Sequence, residues 1–377
     1  MVKNNGRDIV VKKFTYYMPT SVFFGEEVLE RYGDAIKQLG QRALVVTGRT
    51  SAVTSGAMND FETVAKKLGL TWVVYNKVSA NPTLDTVAEA VDIARKEKVD
   101  FVVGIGGGSP LDTAKAIALL TPNKAEAHEL YLADLPEAPL PIATIPTTSG
   151  TGSEVTQYAV FTLPEKKIKK GFGDKRCFPQ ISWVDPRYTY TLPYDITVDT
   201  ALDALTHSIE GYLNKNSTPV SDELALAGIF YFAKQKDNLL AGNFEPETRS
   251  ELMYASTLGG MVIAQTRTTV LHSLGYPLTY SHDIPHGRAN GLLLAAYLEF
   301  IKEEEPLRVN KILNTIGMNS LDELKLFINK LLPSTGEFSK EELERMAALT
   351  FSTAGSLAWT PRQASQSDLL EIYRKSL

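Results

Sequence analysis

The first half of the chain alternates short apolar runs with longer segments in which apolar residues recur at helical spacing. The apolar runs are rich in β-branched and aromatic residues, which is typical of strands, and they lie at 14–24, 42–47, 71–75, 101–104 and 140–145. The segments between them predict helices at 26–39, 59–68, 84–98 and 110–120. Strands that alternate with long helices predict βαβ units and a parallel sheet.

From residue 197 onward this alternation stops, and nearly every segment has helical spacing. The predicted helices lie at 197–213, 219–236, 246–275, 287–303, 306–316, 320–331, 339–353 and 366–376. A connection rich in proline and tyrosine precedes them. We therefore predict two domains, an α/β dinucleotide-binding domain at residues 1–188 and an all-helical metal-binding domain at residues 189–377.

A glycine-rich loop follows the fourth predicted strand. It contains Gly106, Gly107, Gly108 and Ser109 and leads into a predicted helix. Glycines let the backbone approach a pyrophosphate closely, and the start of a helix offers free N–H groups to phosphate. We predict that Ser109 caps this helix with Asp112 as the acidic partner of a capping box. The loop is then a phosphate site; the alternative is a well-capped glycine-rich turn.

The second predicted strand is followed by Gly48, Arg49, Thr50 and Ser51. Dinucleotide folds place an acidic residue near such a strand end to bind the ribose 2′-hydroxyl, and this chain has none there. Arg49 brings positive charge, and the two hydroxyls bring donors, which together suit a 2′-phosphate. We therefore predict NADP(H) in preference to NAD(H); the alternative is an exposed turn with an incidental arginine.

A loop of threonine, serine and glycine follows the last strand of the predicted sheet. Its first hydroxyls, on Thr147 and Thr148, suit contacts with phosphate or nicotinamide, although a plain polar loop would have the same composition. Lys169 belongs to a basic run in a predicted hairpin, where a solvated turn is the alternative to a cofactor contact. Asn81 completes the predicted set of cofactor-binding residues.

Asp203 and His207 lie four residues apart in a predicted helix, so both side chains lie on one face, one turn apart. His272 and His286 are two more of the five histidines in the chain. Asp203, His207 and His272 lie in stretches rich in apolar residues, and polar groups that are buried among such residues need partners. We predict that these four residues close around a catalytic cation. The alternative is four polar residues that are hydrogen-bonded separately.

Three histidines and one aspartate, without sulfur, suit Fe²⁺, Zn²⁺, Mn²⁺ or Co²⁺. The single cysteine, Cys177, excludes a cysteine-rich zinc site. Asp199, Glu210 and His282 are competing ligands close to the predicted set. We expect them to lie behind the metal ligands or at the surface.

Composition narrows the class of protein. Hydrophobic residues make up 44% and charged residues 22% of the chain, as in soluble globular proteins. The net charge of -5 argues against nucleic acid or an anionic membrane as a partner. No apolar run is long enough to span a bilayer, and Met1–Asp8 has no apolar segment of a secretory signal. We therefore expect a cytoplasmic protein.

Taken together, these motifs resemble the iron-dependent (group III) alcohol dehydrogenases over nearly the whole chain. The resemblance rests on four stretches, which run from Gly106 to Lys115, from Pro146 to Glu154, from Asp203 to Gly211 and from His272 to Gly287. It implies a Rossmann-like domain followed by a helical domain of dehydroquinate synthase-like architecture. It also implies a homodimer and a catalytic Fe²⁺, with Zn²⁺ as the alternative, on the four predicted ligands.

The chain departs from the family pattern at two positions. Many members carry an acidic residue where Gly48 stands, and those members favour NAD, so its absence agrees with the NADP(H) prediction. Many members also carry a histidine, thought to relay the alcohol proton, where this chain has Tyr276. A phenol can pass a proton, and we therefore predict a catalytic role for Tyr276.

The predicted function is metal-dependent oxidoreduction, in which hydride transfer with NADP(H) interconverts primary alcohols or diols and aldehydes. The alternatives are a polyol dehydrogenase of the glycerol type, a metal-dependent lyase resembling dehydroquinate synthase, and a nucleotide sensor without enzymatic activity. A lyase of that kind would need basic residues to hold an acidic, phosphorylated substrate. In the second half of the chain, Arg267 and Arg288 are the candidates.

Overall fold

The computed structural model describes residues 13–131, 134–332 and 336–377. The described strands all lie in the first half of the chain: β1 (Ser21–Phe24), β2 (Arg42–Gly48), β3 (Thr71–Val78), β4 (Phe101–Gly106), β5 (Ile142–Pro146), β6 (Tyr158–Leu163), β7 (Ile168–Gly173) and β8 (Ile181–Val184). Six of them form a parallel sheet in the order β1-β8-β5-β4-β2-β3. The other two, β6 and β7, form an antiparallel hairpin. The predicted parallel α/β domain is confirmed.

The central strands are apolar throughout because helices cover both faces of the sheet. The helices of this half are α1 (Val28–Tyr32), α2 (Ser51–Thr54), α3 (Ala57–Leu68), α4 (Leu84–Glu97) and α5 (Gly108–Asn123). Successive side chains of a strand point to opposite faces. Leu44 and Val102 accordingly belong to the core formed with α4 and α5, whereas Val45 and Val103 belong to the core formed with α3.

The second half of the chain is helical, as predicted. Its helices are α6 (Tyr194–Leu213), α7 (Pro219–Lys234), α8 (Lys236–Ala241), α9 (Pro246–Thr266), α10 (Val270–His282), α11 (His286–Lys302), α12 (Pro306–Ile316), α13 (Leu321–Leu331), α14 (Lys340–Thr353) and α15 (Gln366–Ser376). The central one is α6, which is buried over nearly all of its length because α7, α9 and α11 pack around it. In the part of the chain that the structure describes, no helix has the length and apolar character needed to cross a membrane.

The connection between the two halves is short. The sheet ends with β8 at Val184, a single 3-10 turn covers Pro186–Thr189, and α6 begins at Tyr194. The predicted domain boundary between residues 188 and 189 lies in this connection and stays a prediction. The predicted absence of a secretory signal concerns Met1–Asp8, which lie outside the described residues.

The first predicted strand and helix are shorter than expected. Residues 14–20 do not pair with the sheet, because Tyr17 instead exchanges two hydrogen bonds with the side chain of Gln265 in α9. The helix predicted at 26–39 ends at Tyr32 and continues as a 3-10 helix. At this point Gly33 packs so closely on Val64 that a Cβ would lie 2.7 Å from Val64 Cγ1. Glycine also weakens a helix interior.

The helix predicted at 246–275 is two helices, α9 and α10. The chain leaves α9 at Arg267, whose φ of 67° is left-handed. The N–H and hydroxyl of Thr269 then donate to the buried Glu210 carboxylate at 2.9 and 2.7 Å, and α10 begins at the next residue. His272 therefore lies in the first turn of a helix and not late in a long one.

Candidate metal and nucleotide site

Three of the four predicted metal ligands come together in the structure. One donor atom from each of Asp203, His207 and His272 lies within 4.8 Å of the others, and all three residues are buried. His286 adds its Nε2, which is 3.9 Å from Asp203 Oδ1. It begins α11, one residue before the predicted start of that helix. Three helices thus bring oxygen and nitrogen donors to one point.

Each of two histidines is oriented through its Nδ1. The His207 Nδ1 is 3.2 Å from the carbonyl oxygen of Gly150, and the His272 Nδ1 is hydrogen-bonded to Glu210. Their Nε2 atoms are therefore left for another partner. The His272 Nε2 is buried without a hydrogen bond and lies 3.6 Å from Asp203 Oδ1. An orphaned ring nitrogen beside a carboxylate fits a divalent cation, and such outer hydrogen bonds are typical of histidine ligands.

The electrostatics of Asp203, His207 and His286 also suit a cation. Burial lowers the pKa of His207 and of His286, which favours the neutral imidazole that binds metals. Burial lowers the pKa of His272 as well, but the adjacent carboxylates of Glu210 and Asp203 outweigh it and raise this pKa to about 10. A cation at His272 would therefore displace a proton from its ring. Burial opposes ionisation of Asp203, yet attraction by His207 and His286 holds its pKa below the ordinary value. Asp203 is therefore an anionic oxygen donor.

The competing ligands lie outside this group. Glu210 is buried behind His272, whose N–H donates to Glu210 Oε1 at 3.3 Å. Asp199 pairs with Arg288 at 2.9 Å, and the ring of His282 packs on Phe338 with 4.9 Å between ring centroids. Glu210 therefore lies behind His272, as expected, whereas Asp199 is buried in an ion pair and is not at the surface. That none of the three is a metal ligand stays a prediction.

Asn290 is a residue of the site that the sequence analysis missed. Its Nδ2 donates to Asp203 Oδ1 at 3.1 Å and lies 3.4 Å from His286 Nε2. It is fully buried and follows His286 by one helical turn. The sequence did contain a signal for this residue, namely an amide four residues after a predicted ligand in a helix that is mostly apolar.

The two predicted nucleotide loops lie against each other. Gly107 and Gly108 open α5, and a Cβ on Gly108 would lie 2.7 Å from Thr151 Cγ2. A Cβ on Gly107 would lie 3.3 Å from Thr148 Cγ2. Thr147 is buried, and its hydroxyl has no hydrogen-bond partner among the described residues. The start of α5, where free N–H groups suit a phosphate, therefore lies beside the threonine loop.

The predicted capping box is wrong. The N-cap of α5 is Gly107, no side chain caps it, and Ser109 already lies within the helix. The carboxylate of Asp112 instead accepts hydrogen bonds from Ser153 Oγ at 2.6 Å and from the N–H of Val160 at 2.8 Å. Asp112 therefore fixes the position of the threonine loop through Ser153 and that of the β6–β7 hairpin through Val160.

Lys115 supports the same loop from inside the protein. Its fully buried ammonium group donates to Ser153 Oγ at 2.6 Å, to Thr156 Oγ1 at 3.2 Å and to the carbonyl oxygen of Tyr158 at 2.7 Å. Burial lowers the pKa of Lys115 to about 8, against the attraction of Asp112. The sequence showed this lysine only as part of a family motif.

The third predicted nucleotide segment lies at the end of β2. Gly48 is the last residue of that strand, and Ser51 begins α2. Arg49 and Thr50 between them are exposed. In the described part of the chain, Arg49 forms no hydrogen bond or ion pair with its guanidinium group, unlike Arg42 at the other end of the strand, which pairs with Glu97.

The remaining predicted residues lie together beside His286, one of the predicted ligands. Lys169 Nζ donates to Asn81 Oδ1 at 2.9 Å and lies 5.7 Å from the ring centroid of Tyr276. The Tyr276 ring stacks on His286, with 5.5 Å between centroids and 20° between planes. The nucleotide half and the helical half are therefore in contact beside the clustered ligands.

Comparison with known proteins agrees with this arrangement over most of the chain. Residues 19–186 match the family model described as iron-containing alcohol dehydrogenase. Residues 197–377 match the model described as Fe-containing alcohol dehydrogenase family, C-terminal.

Individual relatives match over nearly their whole length. The chain is 29% identical to 1,3-propanediol dehydrogenase of Citrobacter freundii, covering 97% of this chain and 99% of that protein. It is also 29% identical to NADH-dependent butanol dehydrogenase A of Clostridium acetobutylicum, covering 96% and 99%. A solved iron-containing alcohol dehydrogenase from Thermotoga maritima is 40% identical with a TM-score of 0.90, covering 97% and 99%.

Proposed function

This chain belongs to the iron-containing alcohol dehydrogenase family, and we propose that it interconverts primary alcohols or diols and aldehydes of modest size with NADP(H). The observation that carries the proposal is the buried, unpartnered Nε2 of His272 beside Asp203 and His207. A buried polar atom of this kind needs a partner. A divalent cation satisfies it and the neighbouring donors together.

Asp203, His207, His272 and His286 are the proposed ligands of Fe²⁺, with Zn²⁺ as the alternative metal. When bound, the cation polarises the substrate oxygen and the nicotinamide exchanges the hydride. The protein's own part is to orient these groups. The carbonyl oxygen of Gly150 and the carboxylate of Glu210 hold two imidazoles in fixed orientations. The loops at Gly107 and Thr148 lie together at the start of α5, where the phosphates of a dinucleotide would bind.

The test measures NADPH absorbance in both directions of the reaction. NADPH should be consumed with a panel of aldehydes, and it should form from NADP⁺ with alcohols, 1,3-diols and glycerol. His207→Ala is expected to lose bound metal and to lower kcat/KM at least 1000-fold. The matched control is His282→Ala, because His282 lies away from the ligand group, against Phe338. Full metal content and turnover in His207→Ala would contradict the ligand assignment. A preference for glycerol would favour the polyol alternative.

A preference for NADP(H) is the finer part of the proposal, and Arg49 supports it. An exposed guanidinium without a protein partner at the end of β2 suits a 2′-phosphate. Arg49→Gln is expected to lower kcat/KM for NADPH roughly tenfold to 100-fold, as for loss of a charge-assisted hydrogen bond, with little change for NADH. Arg345→Gln is the control, since Arg345 is also exposed and forms no ion pair in the described part of the chain. An unchanged ratio of the two kcat/KM values would favour NAD(H).

The lyase and sensor alternatives lose support from these observations. Arg288, one of two candidates for holding an acidic substrate, is already paired with Asp199. A lyase or a sensor would also give no net oxidation of NADPH in the same assay. The homodimer and the cytoplasmic location stay predictions from the resemblance and the composition, and sedimentation of the purified protein checks the first.

A further inference from the structure

The proposed reaction releases a proton when an alcohol is oxidised, and a side chain must carry it. The family resemblance assigns this role to a histidine, and this chain has Tyr276 at that position. A phenol with an ordinary pKa of about 10 is a poor base at neutral pH. The face of the Tyr276 ring is also occupied by the stacked ring of His286. The proton therefore needs another acceptor near Tyr276.

Lys169 lies beside this position and is held there. It stands on β7, and its Nζ is 5.7 Å from the Tyr276 ring centroid and 2.9 Å from Asn81 Oδ1. Asn81 has a left-handed φ of 57°, and the next residue, Pro82, accepts a hydrogen bond from Thr162 at 2.8 Å. Such backbone strain persists only where the surrounding structure fixes it. The amine is thus held on two sides.

The charges that face Lys169 come from several elements. Asp112 of α5 and Asp203 of α6 attract its ammonium group, and His286 of α11 is the basic group nearby. None of these carboxylates is within ion-pair distance of Lys169 among the described contacts. Its neighbour Lys170 turns outward instead, over the ring of Tyr131 at 4.5 Å.

We propose that Lys169 exchanges the substrate's hydroxyl proton with solvent, a role that rests on the proposed function. In oxidation the O–H bond breaks and its proton passes to the neutral Lys169 amine, through at most one water or hydroxyl. The C–H bond breaks with its electron pair, which leaves as hydride for the oxidised nicotinamide, and a carbonyl remains. The ammonium group of Lys169 then releases the proton to solvent. Reduction runs in reverse.

The acidity of Lys169 agrees with this role. Burial lowers the pKa of Lys169 to about 8, although Asp203 and Asp112 oppose the shift. An acid–base group works best when its pKa is close to the working pH. Alcohol oxidation needs the neutral amine and should rise with pH up to a plateau above the pKa of Lys169. Aldehyde reduction needs the ammonium group and should fall over the same range.

The kinetic test compares Lys169→Gln with Lys170→Gln in the metal-loaded enzyme at saturating cofactor. Lys169→Gln is expected to lower kcat roughly 100-fold or more, as for loss of a general acid or base, and to lose the pH dependence near pH 8. Added methylamine should restore part of the rate in Lys169→Gln but not change Lys170→Gln. If Lys169 only binds the cofactor, KM for the cofactor rises while kcat and its pH profile stay unchanged. That result overturns the proposal.

A second measurement needs no turnover. Acetylation of the lysines at a series of pH values, followed by mass spectrometry of peptides, gives the protonation curve of each amine in the metal-free protein. Lys169 is expected to titrate at least one pH unit below an ordinary lysine side chain, and an ordinary titration curve for Lys169 overturns the proposal. Wild-type protein without turnover on any alcohol or aldehyde overturns both this proposal and the proposed function. A wild-type kcat and pH profile in Lys169→Gln overturn only this one.

Discussion

Glu210 is the residue on which the geometry of the ligand group depends most, although it is not a predicted ligand. Its buried carboxylate accepts hydrogen bonds from the ring of His272, from the N–H of His272 and from two donors of Thr269. One side chain therefore fixes both the orientation of an imidazole and the start of α10. These hydrogen bonds also satisfy polar oxygens that would be costly to bury without partners.

Glu210→Gln is expected to lower metal affinity about 10-fold to 100-fold, which is typical for partners behind metal-bound histidines. The amide keeps an oxygen for Thr269 but removes the negative charge that raises the pKa of His272. Competition with a coloured chelator measures the dissociation constant, and the melting temperature controls for misfolding. Unchanged affinity in a folded variant would show that the charge of Glu210 does not support the site.

At the scale of elements, α6 and α11 must cross closely for the ligands to meet. Gly287 lies at the crossing, next to His286, and a Cβ there would lie 1.9 Å from the carbonyl oxygen of Asp199. The same Cβ would lie 2.9 Å from the Cβ of Asp203. Only a residue without a side chain allows this approach.

Gly287→Ala is therefore expected to push α11 away from α6 and to separate His286 from Asp203. Overpacking of this kind typically costs about 1–3 kcal/mol in the free energy of unfolding, and metal affinity should fall with it. Gly355→Ala is the control, because a Cβ there meets nothing within 4 Å. Denaturant unfolding and metal content are the measurements. Equal free energies of unfolding and equal metal contents in the two variants would contradict the close crossing of α6 and α11.

At the scale of the whole molecule, the cation is expected to join helices that are distant in the chain. The proposed ligands come from α6, α10 and α11, and His207 also contacts Gly150 of the nucleotide half. A ligand that binds only the native state stabilises it by about 4 kcal/mol when its concentration is 1000 times its dissociation constant. Loss of metal should therefore weaken the whole fold.

Chelation is accordingly expected to abolish NAD(P)H turnover and to lower the melting temperature, and added Fe²⁺ or Zn²⁺ should restore both. His207→Ala serves as the control, because a protein that has lost its metal site should not respond to the chelator. A melting temperature that chelation leaves unchanged in the wild type would mean that the cation does not connect these helices.

Local patterns in the sequence determined the class of fold and pointed to the proposed metal ligands. Strand and helix periods depend only on nearby residues, so the parallel sheet, the helical second half and the spacing of Asp203 and His207 could be predicted. Two features could not be predicted in this way. They are the end of α9 at Arg267 and the absence of a side-chain cap from Ser109. Both depend on partners far away in sequence, namely Glu210 for the start of α10 and Ser153 for Asp112.

Only the tertiary structure decided which polar groups meet. The sequence gives no distance between His272 and Asp203, and it does not distinguish Glu210 or Asn290 from other polar residues near the ligands. These relations arise when packed helices exclude water, because each buried donor or acceptor then has to find a partner within reach. The chain therefore encodes its elements locally, whereas the ligand cluster and the position of Lys169 over Tyr276 result from how those elements pack.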